Sequence, residues 1–170
     1  SASLKIEIFL GFSTLYEMQA AWKEGIAVAK QALALAKQSG SYVERVRVPL
    51  ALARLYLQID LLEQGRHHLA EAVKITLEGV TKTYEEELLF GLALYYWKTA
   101  AFERSANLLN LYHRRGKINP LFVDLAGRLE AEVKTAVAPP AWHEMKTAVA
   151  AEPIRPILQA FLTEIDSPPH

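Results

Sequence analysis

Phe9-Leu10-Gly11-Phe12-Ser13-Thr14-Leu15-Tyr16, Pro49-Leu50-Ala51-Leu52-Ala53-Arg54-Leu55-Tyr56 and Leu89-Phe90-Gly91-Leu92-Ala93-Leu94-Tyr95-Tyr96 follow one another at a spacing of 40 residues. Each stretch carries a Phe or Leu, then a small residue, then Tyr three positions on. The chain has only seven Tyr, so three at one phase mark an internal repeat. The register continues downstream. Trp22, Leu62 and Phe102 align, then Gly25, Gly65 and Ser105, then Ala29, Leu69 and Leu109.

Within each unit the apolar residues recur at i, i+3, i+4 and i+7, the spacing of an amphipathic helix. First helices are predicted at about 4–18, 44–58 and 84–98, and second helices at about 22–38, 62–78 and 102–115. Small residues in the two small columns predict close helix–helix approach, since a helical Gly costs about 1 kcal/mol unless packing requires it. Gly40, Gly79 and Gly116 follow the second helices and predict left-handed caps there. Glu85, Glu86 and Glu87 after Thr83 suit a helix N-terminus, as His113, Arg114, Arg115 and Lys117 suit a C-terminus. A fourth, degenerate unit spans 119–151, with Pro120 opening its first helix and Trp142 in the Trp22 column. A last helix, about 154–165, carries the stripe Ile154, Ile157, Leu158, Phe161, Leu162 and Ile165. The expected fold is thus all-α: repeats at 4–40, 44–79, 84–116 and 119–151, plus a C-terminal helix.

The composition suits one domain. Of 170 residues, 51% are apolar and 22% charged, enough for a core and too little charge for a disordered chain. Nineteen cationic side chains balance nineteen anionic ones, which argues against nucleic-acid binding by this fragment. There is no cysteine, so thiolate metal sites and Cys nucleophiles are absent. No apolar run is long enough to span a membrane. A cytoplasmic location fits these features.

The columns resemble the tetratricopeptide repeat, whose first helix reads large-x-x-Leu-small-x-x-Tyr and whose second reads small-x-x-x-large-x-x-Ala. Gly25-Ala29-Ala32 and Gly65-Leu69-Ala72 match the second half, while Ser105-Leu109-Tyr112 departs at its last position. The usual period of the family is 34, against 40 here, and the usual Pro after the second helix is replaced by Lys37, Leu77 and Lys117. Long repeats of this kind are similar to the C-terminal repeats of bacterial signal-transduction ATPases and transcription activators. The resemblance implies a right-handed α-α superhelix that binds a protein or peptide along its first helices. Its lining positions become Arg47, Leu50, Arg54, Leu57, Phe90, Leu94, Trp97 and Lys98, an apolar trough with basic neighbours. It also implies two alternatives: a small-effector sensor in a regulatory ATPase, or an oligomerisation module. The carboxylate clamp of chaperone-type repeats is missing, since Leu10, Thr14, Ala51, Glu87 and Gly91 occupy its positions.

The first helix is apolar on nearly every side. Ile6, Phe9 and Leu10 are its predicted self-association face, as in a homodimer or a fragment cut from a longer chain. The last helix is expected to cap the fourth unit or to fold back into the trough. No phosphate loop, G-x-G-x-x-G, H-E-x-x-H or nucleophile elbow occurs, and no cofactor is implied. His67 and His68 are neighbours whose side chains diverge by about 100° on a helix, so they read as solvated surface. The sequence points to a binding module and not to an enzyme.

Overall fold

The computed structural model describes residues 1–79, 84–114, 120–138 and 153–167. The Thr83 and Gly116 positions, the helix expected at 141–151 with Trp142, and the last three residues fall outside them. Among the described residues there are eight helices and no strand. They are α1 (Ala2–Met18), α2 (Trp22–Ser39), α3 (Tyr42–Gln58), α4 (Leu62–Glu78), α5 (Glu85–Lys98), α6 (Phe102–Arg114), α7 (Pro120–Ala136) and α8 (Ile154–Asp166).

The helices pack as three successive pairs, α1 with α2, α3 with α4 and α5 with α6. Each second helix also packs on the first helix of the next unit, and α1, α3, α5 and α7 touch in sequence. The small columns explain the tight pairing. Ser13, Ala53 and Ala93 are each 1% exposed or less. Ser105 stands where the other units have Gly, and its hydroxyl donates to the Ala93 carbonyl at 2.8 Å. A Cβ on Gly65 would lie 2.7 Å from Leu57 Cγ and 3.3 Å from the Ala53 carbonyl, so only hydrogen fits.

The helix-ending glycines do not adopt the left-handed conformation expected of them. Gly40 has φ −68° and ψ 138°, and Gly79 has φ −87° and ψ 165°, both extended. Gly40 is required for space instead, because a Cβ there would lie 2.4 Å from the Ala36 carbonyl oxygen, while at Gly79 a Cβ would displace the outer end of the Tyr42 ring. Among the described residues, three of the four left-handed residues other than glycine lie inside the repeats, at Ala20 (φ 56°), Asp60 (φ 60°) and Ala100 (φ 60°), and the fourth, Tyr84 (φ 71°), precedes α5. The three inside the repeats share one role. These also fall 40 apart. Each closes a Schellman turn in which the next residue's amide donates to the repeat Tyr carbonyl, at 2.9 Å from Ala21 to Tyr16, 3.0 Å from Leu61 to Tyr56 and 2.8 Å from Ala101 to Tyr96. An L-residue in this conformation is strained by about 1–2 kcal/mol. Ala20→Gly and Ala100→Gly are therefore each expected to stabilise the fold by roughly 0.5–1 kcal/mol, after the added unfolded-state entropy of Gly. Chemical denaturation checks this, and a loss of stability would contradict the strain argument.

The last helix does not lie along the first helices. Whether it caps the second helix expected at 141–151 falls outside the described residues. It folds back onto α4, at the seam between α4, α5 and α6. Phe161 is 1% exposed and meets Tyr95 and Tyr96 edge-on, with ring centres 5.5 and 6.4 Å away. Arg155 donates to the Leu77 carbonyl at 3.1 Å, and Glu164 accepts from Tyr96 and pairs with Arg104. Burial, with Glu164 beside it, pushes the Tyr96 phenol up to about 12, so it remains a donor at any ordinary pH.

Candidate functional site

The inner layer formed by α1, α3, α5 and α7 is where the sequence places a ligand trough. Its centre is a charged cluster drawn from three repeats. Arg54, in the middle of α3, would be solvated if the layer were open. It is 1% exposed. Its Nε lies 3.0 and 3.2 Å from the two Glu17 carboxylate oxygens, and Nη2 lies 3.1 Å from one of them. Glu17, at the end of α1, is fully buried. Such a forked contact suits the planar guanidinium and no other cation. Glu87, in the first turn of α5, lies 3.8 Å from Arg54 Nη1, and the Phe122 ring of α7 lies 4.5 Å from the guanidinium carbon. Among the described residues Nη1 has no hydrogen-bond partner, and Arg54 lines a cavity of about 20 Å³ with Thr14, Ala51 and Phe122, room for about one water.

Arg47 extends the charged line outward. Its Nη1 lies 2.7 and 2.9 Å from the two Glu7 oxygens, and its guanidinium covers the Tyr84 ring at 5.2 Å. Burial pushes the Glu87 carboxyl above the ordinary carboxylate value of 4.5, against the pull of Arg54 and Arg47. Glu87 therefore holds its proton more tightly folded than unfolded. Its contribution is most favourable below the unfolded value and is lost as pH rises through the raised one. Glu44, Glu71 and Glu130 shift the opposite way. The test is thus a difference: between about pH 7 and about pH 5, the wild type gains stability relative to Glu87→Gln. A flat difference in denaturant titrations would exclude the raised carboxyl.

The trough expected along the first helices is filled. Leu50, Leu57, Phe90 and Leu94 are each 2% exposed or less, and Arg54 is as deep. Phe90 sits between Tyr112 and Phe122, with ring centres 6.3 and 6.1 Å away. Adjacent first helices pack directly on each other and α7 covers the end, so these side chains form core and not a wall. Of the predicted lining, Arg47 is half-buried in its pair with Glu7. Trp97 leans on Phe102 at 5.0 Å, and Lys98 reaches Asp60 at 2.8 Å, both at the far end of the layer.

The predicted self-association face is also turned inward. Ile6 is fully buried, Leu10 is 4% exposed and Phe9 packs against the same cluster beside α2 and α3. The exposed side of α1 is instead Leu4, Ile8, Phe12 and Leu15, at 60, 47, 51 and 45% exposure. Apolar residues around the whole helix hid which side the neighbours would take. The signal that could have found it is the column itself, because Phe12 aligns with Leu52 and Leu92, which a preceding second helix covers.

His67 and His68 approach more closely than helical divergence suggests, with ring centres 5.2 Å apart and Glu71 close enough for all three to offer ligand atoms within 4.8 Å of one another. His68 is already used, stacked on Tyr56 at 5.7 Å and 3.4 Å from Glu71. A pocket of about 310 Å³ lies between α6 and α8, lined by Leu108, Leu111 and Ile157 with Tyr96, Arg104 and Glu164 at its polar side. Among the described residues no helix is long and apolar enough to cross a membrane. No family model, no curated protein and no solved structure matches this chain.

Proposed function

We propose that this chain is a non-catalytic protein-interaction module, a stack of long tetratricopeptide-type repeats, and that it binds through the open edge of α1. The observation that carries this reading is the straight line of Leu4, Ile8, Phe12 and Leu15, each at least 45% exposed on one helix. Scattered apolar residues on a surface are ordinary, whereas an aligned row marks a contact surface. The charged cluster around Arg54 serves a different end: it locks three repeats in register, so that α1 is held as a rigid edge.

A photo-crosslinking side chain at position 12, compared with one at position 97, tests this reading in extracts of the source cells. The reading expects a protein adduct from position 12 that Ile8→Glu abolishes. Adducts from position 97 alone would return the binding surface to the inner layer.

A second reading is favoured by the pocket between α6 and α8, whose size and mixture of apolar walls with a few polar groups suit a small effector. In that case Leu111→Trp, which fills the pocket, abolishes any ligand-induced rise in unfolding temperature.

A further inference from the structure

The repeat register states what kind of partner the α1 edge fits. Forty residues after Ile8, Phe12 and Leu15 stand Val48, Leu52 and Leu55, and forty further stand Leu88, Leu92 and Tyr95. Val48, Leu52, Leu55, Leu88 and Leu92 have no exposed surface at all. In α3 the cover comes from α2. Leu52 and Leu55 cluster with Ile26 and Ala29, and Val48 with Ala32 and Ala36. Ile8, Phe12 and Leu15 have the same chemistry in these columns and are covered by no described helix, while Leu4 stands in the column of Glu44 and Tyr84 and adds to the exposed row. Gly11 agrees: a Cβ there would meet nothing within 4 Å, whereas Ala51, in the same column of α3, is 3% exposed.

The start of α1 also repeats the start of α3. Ser1 caps α1 by accepting from the Leu4 amide at 3.3 Å, and Ser41 caps α3 by accepting from the Glu44 amide at the same distance. A helix reaching α1 from its N-terminal side would thus meet the geometry by which α2 reaches α3.

We propose that the Leu4-Ile8-Phe12-Leu15 face is a docking surface for an amphipathic helix of the second-helix kind. Such a helix presents small residues at three- and four-residue spacing, as Ala29, Ala32 and Ala36 do, flanked by a branched residue like Ile26. Bound there, it extends the stack by one layer, burying an apolar stripe as repeat neighbours do. The proposal rests on the reading that α1 is the interaction surface, and it narrows the partner from any protein to a helix of this pattern.

The test is a fusion of a second copy of residues 22–40 directly before Ser1, which recreates the linker that joins α2 to α3. The control is the same fusion with Ile26→Glu and Ala32→Glu in the added copy only. The expected result is an unfolding midpoint at least about 4 °C above the control. With it come a slowing of amide exchange in the added helix by about tenfold or more and protection of Phe12 from radical labelling. Equal midpoints with an unprotected added helix would overturn the proposal. So would protection of Phe12 in the unfused protein together with a doubled mass in solution, since a second copy would then hold the face. If the fusion fails while position 12 still crosslinks a protein, α1 is the interaction surface for a partner of another shape. If the fusion succeeds while position 12 captures nothing, the docking chemistry stands and the interaction reading falls.

Discussion

Arg54→Ala lowers the stability of the fold by about 3–5 kcal/mol. The cost is not the lost attraction alone. Glu17 is fully buried and its carboxylate oxygens are held by Arg54, so the variant leaves an anion in the core without a counter-charge. At about 2–4 °C per kcal/mol for a chain of this size, the unfolding midpoint drops by roughly 10 °C. The comparison that gives the number meaning is the double variant Glu17→Gln with Arg54→Met. Replacing a whole buried pair by neutral groups of similar volume is often nearly neutral, so it recovers most of the loss. Thermal unfolding of both proteins decides the matter. Equal losses from the single and double variants would mean that the Glu17–Arg54 pair itself stabilises the fold, and that the cost of Arg54→Ala is not the lone buried carboxylate.

Phe90→Ala costs about 3–5 kcal/mol, whereas Trp97→Ala costs about 1–2 kcal/mol. The repeat resemblance puts both residues at lining positions, about two turns apart in one helix. The structure separates them. Phe90 is 1% exposed and wedged between Tyr112 and Phe122, so its removal opens a cavity among side chains that cannot collapse into it. Trp97 is half-buried against Phe102 near the end of α5, where solvent can follow the truncation. Denaturant midpoints of the two variants measure the difference. If Phe90→Ala were nearly silent and Trp97→Ala severe, the inner layer would be an open trough after all.

Local pattern carried most of the fold. The helices of the first three units lie within about two residues of where apolar spacing puts them, as Tyr42–Gln58 against 44–58 and Phe102–Arg114 against 102–115 show. The small columns were legible for the same reason, since Gly65 against Ala53 follows from a recurring residue that helix propensity disfavours. The turns were not. Ala20, Asp60 and Ala100 share a left-handed backbone but no residue type that demands it, so the repeated strain leaves no mark in the sequence.

The site was less legible because burial depends on what stands next to a helix. Phe12, Leu52 and Leu92 read identically along the chain, yet Phe12 is 51% exposed and the other two are fully buried. Leu52 is covered by Ile26 and Ala29 of α2, a contact that no local window contains, and no described helix packs on Phe12. Arg54 was equally ambiguous. A cation one turn from Leu50 and Leu57 reads as the rim of a groove, and only the approach of Glu17 from α1 and Glu87 from α5 turns it into a buried link. The last helix announced an apolar stripe, but its seat on Tyr95 and Tyr96 depends on a contact across more than sixty residues, as the pairing of Glu164 with Tyr96 shows.

The central claim is that the inner layer is closed and the first edge is open. Radical labelling of native side chains, read by mass spectrometry against the unfolded chain, measures both at once. The structure predicts that Leu4, Ile8, Phe12 and Leu15 label in the native state while Leu50, Leu57, Phe90 and Leu94 are protected. Labelling of Phe90 and Leu94 with protection of Phe12 would contradict it and place the binding surface in the trough.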